Sequence, residues 1–434
     1  MRLLIAAFTT RPAGFSQDQT QATNSRKPSS TTDKWSTELS ARYQDIVLVL
    51  TSIVPRLQLI LVDNDRVATA VTNMSNNLVG PALRSKSFPH NLTQNALSLL
   101  YQLSRTSQAA KVWKKDINDA FNDTRFFNIS PFLAKDYWLP ILQQWNLNTK
   151  DLMPELLSRL SAPTTAGIMF GVGATSARLE ADRKAQLNLR RIAVLVLSTA
   201  EDTFVPNFGM LEEKLVELFT ATVASSPSSA TRAELFMLLR ALALKTSPVH
   251  MAPLWPVIDA EMQTAIKSVL PDTERHDTYN NASVLQACKL LDTLVTLDPD
   301  DFQLHEWLFI TDTIEAVYKP ADWTPSALVD EVAEALSTTE SATLSMPQAV
   351  AQPGIDGLRK PFLDTLLTGM AQEYSAADLR VMAKPDLASK VLRPFLGQLS
   401  IFVFEATYGM GQPDWEACMD GLLGDLFDEG GIVG

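Results

Sequence analysis

Residues 283–318, SVLQACKLLDTLVTLDPDDFQLHEWLFITDTIEAVY, decide the fold. In the first half, Val284, Ala287, Cys288, Leu291, Leu294 and Val295 recur at spacings of three and four, and Leu290 and Leu297 widen the stripe. That is the period of an amphipathic helix. Pro299 then interrupts it, because proline has no N–H to give and its ring collides with the preceding turn. Asp300 or Asp301 is placed to cap a second helix by accepting from its free N–H groups. On that helix Leu304, Trp307, Leu308, Thr311, Ile314 and Tyr318 fall on one side, and Pro320 closes it. Two stripes this wide cannot satisfy each other alone. Each such pair needs a further pair on either side.

The rest of the chain supplies them. Helical periodicity predicts helices over 39–54, 64–78, 93–105, 112–121, 131–145, 151–160, 176–199, 210–223, 231–245, 253–269, 325–336, 358–374, 387–408 and 415–427. Gly80-Pro81 reads as a helix end, and Pro394 as a first-turn residue or a kink. From residue 209 onward the pairs recur at roughly 40 residues, the spacing of HEAT and armadillo repeats. The expected fold is all-α, an α-solenoid of antiparallel helix pairs of that type, without strands. Leu290, Leu297 and Leu304 are seven apart, but Pro299 excludes a zipper there. The aromatic run 126–145, with Phe126, Phe127, Phe132, Trp138 and Trp145, predicts a deep packing junction. Residues 9–37 are rich in Ser, Thr, Gln and Pro and hold too little apolar surface to order a core. The expected organisation is a mostly flexible segment over 1–38, a basic helical half over 39–200, and an acidic helical-repeat half over 201–434 continuous with it. Residues 338–357 read as a second loop.

Hydrophobic residues make up 46% of the 434 and charged residues 20%, which is a globular composition with ample core. No apolar run reaches the roughly 18 residues that suggest a membrane span. The two cysteines, Cys288 and Cys418, lie on apolar helix faces, as buried free thiols in a reducing compartment would. The net charge of −12 is unevenly spread. Residues 1–200 carry 23 Lys and Arg against 14 Asp and Glu, whereas 201–434 carry 14 against 35. Such polarity steers partners of opposite sign to opposite ends. It argues against nucleic acid, which needs a dominant basic face. Two clusters are therefore candidate partner or lipid sites. One is the basic run Arg178, Arg183, Lys184, Arg190 and Arg191 in the helix predicted over 176–199. The other is the acidic end, Asp420, Asp425, Asp428 and Glu429.

A search for chemistry finds little. His90, His250, His276 and His305 have no partner at a metal-ligand spacing, and there is no CxxC and no GxSxG elbow. The glycine-rich stretch 161–175, SAPTTAGIMFGVGAT, is not GxGxxG and lacks the Lys-Ser/Thr ending of a phosphate loop. No catalytic, cofactor-binding or metal residue is assigned, and no cofactor is expected. Three readings of function follow. The chain is a non-enzymatic scaffold that self-associates or docks partners, a peripheral membrane module acting through the basic helix 176–191, or an enzyme with a site near 161–175.

The pieces SPFLAKDYWLPIL (130–142), the run from LLSRL to AVLVL (156–197), PLWPVIDAEMQTAI (253–266) and LQACKLLDTLVTLDPDDFQLHEWLFITDTI (285–314) resemble, in that order, the C-terminal region of the Dopey family. The resemblance covers roughly 130–320, on distinctive motifs: LWP followed by E, then KLLD, then FQ followed by W and D. It implies a fragment of a longer cytoplasmic protein, peripheral on Golgi and endosome membranes. It further implies work with a large scaffold related to Arf exchange factors and with a phospholipid-translocating ATPase in endosome-to-Golgi traffic, and self-association as a homodimer. No binding residue carries over, because the matching positions read as core.

Overall fold

The structure, a computed structural model, describes residues 30–107, 109–149, 151–160, 174–220, 228–270, 278–310, 327–339, 357–408 and 411–432. They form two compact units, residues 1–149 and 150–434. Most of the expected loops 9–37 and 338–357 and of the glycine-rich stretch 161–175 lies outside the described residues, as do 311–318 of the stretch quoted first.

The first unit is built on α1 (Ser30–Ile53), α2 (Asn64–Met74), α3 (Gln94–Ser104), α4 (Ala110–Asn122) and α5 (Leu139–Leu147). Helix α1 starts at Ser30, within the segment expected to be flexible and ahead of the predicted start at 39. Side-chain oxygens of Asp63 and Thr93 cap α2 and α3, accepting from the N–H groups of Asp65 and Ala96. Helix α3 sits centrally against α1, α4 and α5. The aromatic run packs as predicted: Phe126 meets Phe121, Phe127 and Trp138 edge to face, with centroids 5.0–5.4 Å apart. Phe132 is the exception, since it is exposed. The buried Asp116 holds Ser75 Oγ at 2.7 Å and pairs with Arg84. One sequence expectation is corrected here. The stretch Ala41–Ile60 is long and apolar enough to cross a membrane by length and composition, although only 22% of it is buried. It buries Val47, Leu50, Val54 and Leu57 and leaves Leu48, Val49, Leu59 and Ile60 outside.

Gly80-Pro81 does not end its helix. A π turn at Ser75–Val79 carries the chain on into Gly80–Leu83, and the Gly80 N–H donates to Ser75 O. The same device recurs at Ala134–Trp138, two residues before Pro140, and at Ala388–Leu392, two before Pro394. A proline ring clashes with the carbonyl four residues back. That carbonyl belongs to Asn77, Asp136 or Lys390, inside the widened turn in each case, so the helix re-aims instead of breaking.

The second unit comprises α6 (Leu152–Ser158), α7 (Ala174–Ser198), α8 (Phe208–Phe219), α9 (Ser229–Lys245), α10 (Trp255–Lys267), α11 (Asn281–Leu297), α12 (Leu328–Thr339), α13 (Phe362–Met370), α14 (Arg393–Tyr408) and α15 (Trp415–Leu426). Successive helices alternate between two layers. Helices α7, α9 and α11 pack side by side, and α6, α8, α10 and α12 form the second row. This is the all-α, solenoid-like arrangement the spacing predicts. Helix α15 then crosses α9, so α9 is enclosed by α7, α11 and α15 and nearly all of its residues are buried. Strand structure among the described residues is confined to a two-residue parallel bridge, Leu358–Arg359 with Gln412–Pro413.

The fold-deciding pair is half as expected. Helix α11 is capped by Asn280, which accepts from the Ser283 N–H, and it ends at Asp298 in the left-handed region, φ 49°. Between Pro299 and Ile310, the last described residue of this stretch, the chain forms Asp300–Gln303 and a 3-10 turn, Glu306–Leu308. Neither Asp300 nor Asp301 caps by a side-chain hydrogen bond; both sit in the first turn, where the helix dipole favours them. The helix is interrupted where His305 turns to Asp259, Nδ1 to Oδ2 2.8 Å, and stacks on Trp255 at 5.3 Å. Phe302, Phe309 and Ile310 are buried in consequence, whereas Leu304 and Trp307, expected inside, are 72% and 68% exposed.

Candidate interaction surface

In an open solenoid the outer face of the α7–α9–α11 layer would meet water. Its residues are polar accordingly: Gln186, Arg190, Glu234, Arg240, Gln286 and Lys289. Here α15 and the turn after it cover that face and complete every charge on it. Arg190, 1% exposed, donates Nε to both Glu234 oxygens at 2.9 Å. Its Nη1 reaches the carbonyls of Leu426 at 2.7 Å and Asp428 at 2.8 Å. Arg240 donates to Gln286 Oε1 at 3.0 Å and to Asp425 Oδ2 at 2.6 Å. Lys289 bridges Asp425 and Asp364 at 2.8 and 3.0 Å. The Asp292 carboxylate accepts from the N–H groups of Phe362 and Leu363, at 3.0 and 2.8 Å, and so caps α13 from another helix. The last helix and the turn after it fit closely at two glycines. A Cβ on Gly431 would stand 2.8 Å from Arg190 Nη2, and one on Gly421 would strike Asp364.

The electrostatics follow from burial and pairing. Burial alone would raise Asp425, but Lys289 and Arg240 outweigh it and hold the carboxyl down at about 2. Asp292 is pushed up to about 7 by burial and by Asp364, against the two N–H groups it accepts. Burial also raises Glu234, with Arg190 opposing. Both cysteines are buried, and burial raises Cys418 to about 12, as inert structural thiols require.

The predicted clusters thus meet each other. Arg190 and Arg191 are buried, the latter donating to Asn188 Oδ1 at 3.1 Å. Asp425 lies within the seam, and Asp428 pairs with Arg380. Of the basic run, Arg178 and Arg183 are half-buried and Lys184 is exposed beside Glu180 at 3.5 Å. Three such cations would contribute about 1 kcal/mol each at an anionic surface, before Glu180 and Asp182 are set against them. Of the acidic end, Asp420 and Glu429 are exposed. The glycine-rich residues 161–173, the alternative enzyme site, lie outside the described residues.

The feature that sequence reasoning missed is a cavity of about 210 Å³ at one end of the central layer. Ala243, Leu244 and Thr246 from the end of α9, Leu294 and Leu297 from α11, and Trp255 line it, together with Pro248, Met251, Glu201 and Trp415. Trp415 is 51% exposed on its wall. Val249, Leu304 and Trp307 are exposed on or beside the short elements 248–251, 300–303 and 306–308, of which the first packs on the second and the second on the third. Periodicity gave no signal for it: Trp415 falls on the same helical face as Cys418 and Leu422, three and seven residues on, and so reads as core.

A two-layer helical stack with an internal charged seam and an apolar cavity defines an all-α, solenoid-like protein. The chain belongs to the Dopey family: the family described as DOP1 C-terminal matches residues 1–409. It is 48% identical to protein dop1 of Emericella nidulans over 99% of its own length and 22% of that relative. It is 26% identical to DOP1 of Saccharomyces cerevisiae over 90% of its length and 22% of that relative, and 26% identical to DOP1B of Xenopus laevis over 52% and 10%. The chain therefore spans about a fifth of the fungal relatives' length. No solved structure matches it.

Proposed function

We propose that this chain is a non-catalytic helical scaffold that docks proteins, a second copy of itself included, in endosome-to-Golgi vesicle traffic at the cytoplasmic face of Golgi and endosome membranes. The observation that carries the reading is the set of large apolar side chains left exposed: Val249, Leu304 and Trp307 on or beside short elements that pack on one another, and Trp415 on the wall of the cavity. Grouped exposed apolar surface rimmed by charge is the mark of a contact site. Family membership supports the trafficking part, and the resemblance names the first partners to try: the large scaffold related to Arf exchange factors and the phospholipid-translocating ATPase.

The test is the double substitution Leu304→Ser with Trp307→Ser. Self-association is read by light scattering over a concentration series, and binding to each recombinant partner by calorimetry. At least a tenfold loss in one of these, with an unchanged thermal midpoint, is the expected result. No change in any of them overturns the reading.

A further inference from the structure

The cavity has the chemistry of a socket. Its wall is apolar: Ala243, Leu244, Met251, Leu294, Leu297 and Pro299. A cavity of about 150 Å³ takes a benzene-sized group, so this one, at about 210 Å³, has room for a leucine or phenylalanine side chain. Two features argue that it is not mere packing slack. Trp255, which lines it, is 3% exposed, and its indole N–H has no acceptor among the described residues. A buried donor without an acceptor costs about 1–3 kcal/mol. Secondly, the charged groups on the wall and beside it in the chain are mostly acidic. Glu201 is exposed on the wall, Asp202 adjoins it, Asp298 and Asp300 flank Pro299, and Glu416 follows Trp415. Lys245 and His250 are the basic groups on the same elements.

We infer that the cavity receives a peptide segment of a partner protein that presents one bulky apolar side chain flanked by lysine or arginine. The inference rests on the docking reading above and gives the partner its chemistry. The apolar side chain fills the space between Leu294, Leu297 and Met251. The flanking cations face Glu201 and its acidic neighbours. Trp415 closes over the segment from the side.

The experiment titrates the whole chain with three capped peptides by calorimetry: Ac-KRLFKR-NH2, Ac-KRASKR-NH2 and Ac-EDLFED-NH2. The first binds, and the other two bind at least tenfold more weakly. Glu201→Lys, at an exposed position, weakens the first at least tenfold. Ala243→Leu, which fills the cavity from within, does the same while circular dichroism and the thermal midpoint stay unchanged. Equal binding of the first two peptides overturns the socket, because surface charge alone would explain it. So does decanoate displacing the first peptide at equal affinity, which would make the occupant an acyl chain. Absence of peptide binding overturns it as well. If Leu304→Ser with Trp307→Ser abolishes partner binding while Ala243→Leu and Glu201→Lys leave it intact, the docking function stands and the socket falls.

Discussion

Arg240 and Asp425 are 185 residues apart in sequence and 2.6 Å apart in space. Arg240 is buried on the central helix of the stack, and Asp425 is on the helix that crosses it. The contact is therefore where the last helix is fastened, and its energetics are those of a desolvated pair. Such a pair adds little over a well-packed apolar substitute, but losing one partner strands a charge.

Asp425→Asn should accordingly cost about 3–5 kcal/mol, because it leaves both Arg240 and Lys289 short of their counter-charge. Denaturant titration measures the loss. Hydrogen exchange should show it first in residues 415–432, ahead of α7 and α11.

The seam also sets opposite pH responses. The folded Asp425 carboxyl stands at about 2, below the value near 4 of an unfolded aspartate. Its contribution is fully present above about pH 4 and is lost as the pH falls toward 2. Asp292 stands at about 7, above its unfolded value, so the folded state prefers it protonated. Stability from this group is present below about pH 4 and lost as the pH rises through 7. Asp292→Asn, which keeps one acceptor for Phe362 and Leu363, should flatten the thermal midpoint between pH 5 and 8. An unchanged slope would exclude Asp292 as its source.

Two glycines of α15 should answer the same substitution with opposite signs. At Gly421 a Cβ meets Asp364, which Lys289 holds at 3.0 Å, so Gly421→Ala must break an ion pair or displace the helix. The expected cost is about 1–3 kcal/mol. At Gly424 nothing lies within 4 Å, and Gly424→Ala should stabilise by up to about 1 kcal/mol through helix propensity. Thermal unfolding of both variants decides it.

In the first unit, Trp138→Ala should cost about 3–5 kcal/mol, since Trp138 is fully buried against Phe126. Phe132→Ala, six residues earlier on an exposed position, should stay within about 0.5 kcal/mol. Denaturant midpoints of the two compare them directly.

Local periodicity was enough to find most helices. The apolar stripe located α11, which the structure shows capped by Asn280, and Ser228, accepting from the Thr231 N–H, marks where α9 starts. What stayed hidden depended on contacts far along the chain. The break after Gln303 follows from His305 meeting Asp259, 46 residues away, which no window of neighbours reveals. The same holds for the site. Charge counting identified Arg190 and Asp428 as members of two surfaces. A helical wheel shows that a face is polar, but not that the tail of the same chain will cover it. The cavity was invisible for a related reason, being bounded by residues from Glu201 to Trp415 that share no periodicity.

The three widened turns before Pro81, Pro140 and Pro394 bear on how relatives should be aligned. Each accommodates one residue more than a regular turn, so a wheel drawn straight through 64–83, 131–147 or 384–408 slips by about 100° at that point. Apolar positions on either side belong to one face only after the phase is reset. A single-residue gap at Ser75–Val79, Ala134–Trp138 or Ala388–Leu392 would then mark a relative in which the bulge has been ironed out, not a loop of variable length.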